Sequence, residues 1–294
     1  MSVSKSNKLH LKKSFTAFLK LIRLPNLIIL AITQYFVRIF IIGPKQNWLH
    51  IILDPYFFML CLATTLIAAA GYIINDYYDI KIDRINNPKR GVVGKIFTRR
   101  VAMSTHFIFN IVALILGLFL GWKIWCTIFL SGFLMWLYSN ILKRLALWGN
   151  LTIAFLSALS IYFIHFMFGI NKPMIIAFSV FAFFISLIRE IIKDIEDVKG
   201  DEAFGCKTLP IVWGIPKTKT FLVFIAGAFL LITILFFRNQ YNDFLMIYFL
   251  GLVIPSLFYL VFRIMKANHT KDYSFLSSLC KFIMVLGIIS MIFL

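Results

Sequence analysis

Residues 75–83 read Asn-Asp-Tyr-Tyr-Asp-Ile-Lys-Ile-Asp and follow an apolar run at 52–75, and residues 193–201 read Lys-Asp-Ile-Glu-Asp-Val-Lys-Gly-Asp and follow another at 174–190. Asp76, Asp79 and Asp83 are spaced i, i+3, i+7, and so are Asp194, Asp197 and Asp201; corresponding members lie 118 residues apart in every case. A fixed offset between the polar ends of two apolar segments points to an internal repeat, here about four helices long. On a continuous helix the three positions of each set share one face. Like charges at that spacing repel by a few tenths of a kcal/mol per pair, so something cationic belongs between them.

The rest of the chain says what kind of helix carries these acids. Its 294 residues are 61% apolar and 14% charged, with mean hydropathy +0.90. A soluble domain carries about 25% charged residues. The composition therefore excludes one and calls for helices apolar on every side, as lipid requires. Apolar segments near 24–42, 52–75, 101–121, 122–138, 150–169, 174–190, 221–237, 244–262 and 275–294 predict nine transmembrane helices. The expected fold is an all-α polytopic bundle of two four-helix pseudo-repeats plus a ninth helix. No linker divides it, so residues 24–294 read as a single transmembrane domain. Residues 1–23 read as a basic N-terminal arm.

Thirty Lys and Arg stand against twelve Asp and Glu, a net charge of +18. In a soluble protein such an excess suggests nucleic acid, but here cytoplasmic loops account for it, and no nucleic-acid partner is expected. Segments 1–23, 81–100, 143–144, 189–219 and 263–271 hold 24 of the 30 cations, against Arg38, Lys45, Lys123, Lys172 and Arg238 in the alternate segments. The expected topology puts the N-terminus and the acidic windows in the cytoplasm and the C-terminus on the opposite side. Cys61, Cys126, Cys206 and Cys280 show no metal-ligand spacing, and free thiols are expected.

Nine of the twelve acids lie in the two windows: Asp76, Asp79 and Asp83, then Glu190, Asp194, Glu196, Asp197, Asp201 and Glu202. Oxygen donors without clustered His or Cys suit Mg²⁺. Because Mg²⁺ completes its shell with water and phosphate oxygens, two such stripes on one cavity imply a diphosphate between them. Solvated carboxylates paired with Lys81, Arg84, Lys193 and Lys199 are the plainer alternative, which leaves the matched recurrence unexplained.

With these two motifs at this separation, the chain resembles the UbiA superfamily of intramembrane prenyltransferases over most of its length. The resemblance implies transfer of an isoprenoid chain from a prenyl diphosphate donor to a lipophilic acceptor, within membrane lipid. It implies that Asn75, Asp79 and Asp83, supported by Asp76, hold one Mg²⁺. Asp197 and Asp201, supported by Asp194, would hold a second. Lys143 and Arg144, in the segment Tyr-Ser-Asn-Ile-Leu-Lys-Arg (138–144), are similar to the family's diphosphate-contacting segment, and Lys193 directly precedes the second motif. Positive-inside topology is the competing explanation for these cations. Tyr72 and Tyr138 are candidates to shield an allylic cation by cation–π contact. Asn26, in Arg-Leu-Pro-Asn (23–26), either lines the substrate pocket or caps the first helix. His106 and His165 are expected to pack or hydrogen-bond.

The string at 189–214 resembles most the branch that adds a second isoprenoid ether chain to geranylgeranylglycerol phosphate, whereas the string at 79–90 is also similar to the chlorophyll synthase branch and does not discriminate between them. Lys89 and Arg90 are candidates for the acceptor phosphate. The alternative acceptor is an aromatic quinone precursor, a hydroxybenzoate or dihydroxynaphthoate. A secondary transporter is a more distant alternative, although its sites lie near the membrane midplane in broken helices. Here the carboxylates crowd one face, and Pro255 is the one prominent mid-helix breaker.

Overall fold

The computed structural model describes residues 13–43, 45–86, 91–169, 173–238 and 243–294. Residues 13–21 form α1, followed by α2 (Leu24–Phe36), α3 (Trp48–Leu53), α4 (Pro55–Tyr78) and α5 (Ile80–Asn86). Next come α6 (Arg99–Leu120), α7 (Trp122–Asn140), α8 (Trp148–Phe168), α9 (Pro173–Glu196) and α10 (Val198–Ala203). The chain ends with α11 (Leu209–Val212), α12 (Ile215–Arg238), α13 (Asp243–Tyr248), α14 (Ile254–Lys266) and α15 (Thr270–Ser290). Among the described residues, eight helical spans are long and apolar enough to cross a membrane, one of them α2 continued through a π-helical turn to Ile42 and another α13 joined to α14 through Phe249–Val253. The segment expected at 122–138 is also helical, as α7, but Lys123, Thr127, Ser131, Ser139 and Asn140 make it more polar and it falls outside those eight.

The repeat extends beyond the acids. Helices α4 and α9 each have 24 residues and begin with proline, and their first residues, their last residues and the starts of the short helices that follow are all offset by the same 118 positions. Proline suits a helix start because its missing N–H has no intrahelical partner there. A helix of that length is about 36 Å long, more than the roughly 30 Å hydrocarbon core. Its polar last turn can therefore lie beyond the lipid, sparing each carboxylate the ~2.5–3.5 kcal/mol cost of a midplane charge.

Each acidic stripe was expected on one continuous helix. Instead, α4 ends at Tyr78 and α5 begins at Ile80, with Asp79 between them; α9 ends at Glu196 and α10 begins at Val198, with Asp197 between them. Asp disfavours helix interiors because its side chain competes for nearby backbone groups. The middle acid of each triplet sits at this break, and the third rides on the short helix.

The described chain forms two compact units. One takes in the described part of Met1–Ala31 with Phe58–Asn140. In it, Ala17, Leu21 and Ile22 from the expected basic arm pack with Leu27, Ala69, Ile73, Val92, Val93 and Ala102. Buried His106 lies 3.0 Å through Nδ1 from the Ala70 carbonyl, which is the expected hydrogen-bonding role.

The other unit comprises Ile32–Phe57 and Ile141–Leu294. Helix α9 is central to it, packing against α8, α12 and α15. Ile185, Ile188, Ile192 and Ile195 form an inward stripe on α9 that meets Leu222, Phe229, Leu276 and Ile283. Between apolar helices in lipid, close packing drives association rather than the hydrophobic effect. Pro255 lies in the first turn of α14, directly after a π-helical turn over Phe249–Val253. Proline removes a ladder hydrogen bond, and the wide turn absorbs the mismatch.

Candidate active site

In the first unit, the motif is built on the end of α4 and on α5. Arg23 Nη2 donates to Asn75 Oδ1 and to Asp76 Oδ1, both at 3.2 Å. Its guanidinium lies over the Tyr72 ring, 4.7 Å from the centroid. Asn26 Nδ2 donates to Tyr72 Oη at 3.3 Å, so Asn26 anchors the polar end of that ring. Arg23 itself sits at φ +52, a left-handed conformation that costs an L residue about 1–2 kcal/mol. The strain falls at the turn between α1 and α2, where Asn26 N–H donates to the Arg23 carbonyl at 2.8 Å.

Asp79 is buried, with 4% of its surface exposed. Asp83 is partly buried and, with Asp76, Ile80, Arg84, Gly91, Val92, Val93 and Lys95, lines a cleft of about 360 Å³ counting its open mouth. Lys95 stands on a tight turn at 92–97. There Gly94 adopts φ +83, and its N–H donates to the Phe97 carbonyl at 2.7 Å. Buried Val92 and Val93 pin the turn to the core. Tyr138 is partly buried near the end of α7 in this same unit. Lys89 and Arg90 lie outside the described residues.

The second unit holds the other motif. Asn150 Nδ2, in the first turns of α8, donates to Asp194 Oδ2 at 2.8 Å. Glu190, Asp201 and Lys143 all act electrostatically on Asp194. Lys193 Nζ lies 3.8 Å from Asp197 Oδ2, and Asp201 is buried at 3% exposure. Lys143 and Arg144 form a 3₁₀ turn with Leu142. This turn rests on α8 at Gly149, where an added Cβ would come within 3.0 Å of both the Leu142 carbonyl oxygen and Lys143 Cα. Lys207 N–H donates to the Arg144 carbonyl at 2.8 Å and Cys206 N–H to the Asp201 carbonyl at 2.9 Å. The basic turn and the acidic motif are thereby tied through two backbone hydrogen bonds one residue apart.

Of the residues singled out in the sequence, Asn26 meets Tyr72, Asp76 and Asp83 share one cleft, Lys193 lies beside Asp197 and Lys143 acts on Asp194. Arg23 and Asn150 were missed. Arg23 was absorbed into the count of cytoplasmic cations, and Asn150 carried one signal, a buried amide opening an apolar run. Among the described residues no three His, Cys, Asp or Glu side chains converge as a ready-made metal cage. The motif side chains nonetheless offer carboxylate and amide oxygens, which fit Mg²⁺, a cation that needs only one or two protein carboxylates, and do not fit the nitrogen and sulfur preference of zinc.

Among its described residues the chain is an all-helical, multi-pass integral membrane protein with two repeated oxygen-donor motifs, each beside basic side chains. The sequence model of the UbiA prenyltransferase family matches residues 32–286, and the chain belongs to that family and is a prenyltransferase. It is 30% identical to the digeranylgeranylglyceryl phosphate synthase of Sulfolobus acidocaldarius, over 89% of this chain and 92% of that protein. It is 34% identical to the synthase of the same name from Methanosphaera stadtmanae, over 74% and 77%. A solved structure described as a digeranylgeranylglyceryl phosphate synthase superposes with TM-score 0.68 at 24% identity, covering 95% of this chain and 98% of that one. A UbiA homolog from Archaeoglobus fulgidus bound to GPP and Mg²⁺ superposes with TM-score 0.66 at 16% identity, covering 94% and 99%.

Proposed function

We propose that the chain transfers a geranylgeranyl group from its diphosphate to the free hydroxyl of geranylgeranylglycerol phosphate, forming the second ether of a membrane lipid. The observation that carries this reading is the similarity, over 89% and 74% of the chain, to relatives named for that synthesis, joined to two acidic motifs at the ends of repeated helices. We read residues 24–294 as one working membrane domain, with residues 1–23 as its basic arm. The cation distribution supports a cytoplasmic N-terminus and cytoplasmic motifs, with the C-terminus opposite.

In the reaction the bond from the allylic carbon to the diphosphate oxygen breaks and a bond from that carbon to the acceptor oxygen forms. The hydroxyl proton leaves to a base, and diphosphate departs. Asn75, Asp79 and Asp83, with Asp76, hold one Mg²⁺, and Asp197 and Asp201, with Asp194, hold a second. Bound Mg²⁺ neutralises the departing diphosphate. Lys143, Arg144 and Lys193 bind diphosphate oxygens by charge-assisted hydrogen bonds. Tyr72, fixed by Asn26, and Tyr138 offer aromatic surface to the allylic cation. Arg84 and Lys95, which line the cleft beside Asp76 and Asp83, receive the acceptor phosphate.

Two kinetic results follow. Lys143→Ala raises the KM for the prenyl diphosphate about tenfold or more, the worth of one hydrogen bond to a charged group; a donor KM equal to wild type removes Lys143 from the site. Arg84→Ala and Lys95→Ala each raise the acceptor KM about three- to tenfold and leave the donor KM unchanged, whereas a donor KM that rises instead assigns the cleft to the diphosphate. The reading as a whole is tested by diphosphate release from geranylgeranyl diphosphate in purified protein with Mg²⁺. Geranylgeranylglycerol phosphate stimulates release and a chelator stops it; release indifferent to the glycerol phosphate contradicts the reading.

A further inference from the structure

We propose that Arg23 competes with the divalent cation for the oxygens of the first motif, and so sets how tightly that motif takes up metal. The inference rests on the reading of Asn75 and the motif carboxylates as a cation site. One nitrogen of Arg23, Nη2, stands 3.2 Å from Asn75 Oδ1 and 3.2 Å from Asp76 Oδ1. A cation bridging two adjacent oxygens occupies the place a metal ion needs. Mg²⁺ binds oxygen at about 2.0–2.1 Å, so an ion bridging these two oxygens and the guanidinium at its present position exclude each other by volume, and their like charges oppose each other.

The arginine is built to stay there. Its backbone is held in the left-handed region at φ +52, and its guanidinium is stacked on Tyr72 at 4.7 Å. Tyr72 is in turn hydrogen-bonded to Asn26. The Arg23 and Asp76 side chains are 22% and 12% exposed, sheltered enough for the pair to resist screening. Arginine keeps its charge at any physiological pH, so proton release does not relieve the competition; the incoming ion has to displace the side chain. A strained backbone at a residue whose head reaches the motif is the kind of outlier that marks a functional constraint. Arg23 is in this account a positioning residue: it holds Asn75 and Asp76 together and yields them to metal.

The test is a Mn²⁺ titration of the purified full-length protein in detergent, with free Mn²⁺ read by electron paramagnetic resonance and no substrate present. Arg23→Gln is compared with wild type and with Arg84→Gln, which removes the same charge from the cleft that Asp76 and Asp83 line. Arg23→Gln is expected to tighten Mn²⁺ binding about tenfold, within the usual range for coupled ligands, and Arg84→Gln to change it much less. A merely structural role for Arg23 would loosen the motif and weaken binding. Unchanged or weaker binding in Arg23→Gln, or equal tightening in both variants, overturns the proposal. If Arg23→Gln does not fold, Arg23→Met, which keeps the apolar stem and removes the charge, decides by the same titration: tighter Mn²⁺ binding supports competition, and unchanged or weaker binding overturns it. Absence of saturable Mn²⁺ binding in every folded protein overturns the metal reading of the motif itself, a result distinct from unchanged affinity.

Discussion

Asp79→Asn lowers prenyl transfer by about 10³-fold or more, a barrier increase of ~4 kcal/mol, while the protein still extracts and melts like wild type. The two side chains have nearly the same shape, and Asn, like Asp, favours positions where a helix gives way, so the break between α4 and α5 survives. The substitution removes the negative charge from a side chain that is 4% exposed. A hard cation binds carboxylate far better than amide oxygen, and no spare acid lies between Asp76 and Asp83 along this segment. Activity and melting temperature measured together separate the site effect from misfolding. Wild-type turnover in a folded Asp79→Asn protein removes Asp79 from the metal set.

Asp197→Asn, at the matching break between α9 and α10, produces a loss of similar size, and here stability can be argued independently. The Asp197 and Lys193 side chains are 25% and 27% exposed and their charged atoms stand 3.8 Å apart, a pair of the kind that contributes about 0–1 kcal/mol. Breaking it costs the fold little. Loss of turnover at that small structural cost identifies a chemical role. A variant that loses activity only in proportion to a fall in melting temperature assigns Asp197 to structure instead.

Much of this was legible in the sequence because the chain repeats itself. The 118-residue offset of the acids proved to be the offset of whole helices, from Pro55 and Pro173 to Tyr78 and Glu196. Membrane class followed from composition alone, and His106 found the hydrogen bond that a buried imidazole requires. The local shape at the acids was not legible: i, i+3, i+7 spacing implies a continuous helix, whereas Asp79 and Asp197, of a residue type disfavoured in helix interiors, stand at breaks in it. Nor was Arg23, since its partners lie 52 and 53 residues away and its sequence context is that of any cytoplasmic cation. Asn150 is similar, an amide whose purpose appears only when Asp194 is seen 2.8 Å away. Of the nine expected spans, the fourth, at 122–138, is the helix α7, where scattered Ser, Thr and Lys leave length and hydropathy at odds.

Product analysis with a panel of acceptors identifies the bond that the enzyme makes. Purified protein is given Mg²⁺ and labelled geranylgeranyl diphosphate with geranylgeranylglycerol phosphate, hydroxybenzoate or dihydroxynaphthoate, and the lipid products are identified by mass spectrometry. The expected product is a glycerol phosphate carrying two geranylgeranyl ethers, with no prenylated ring. Transfer to an aromatic acceptor with none to the glycerol phosphate would contradict the proposed function.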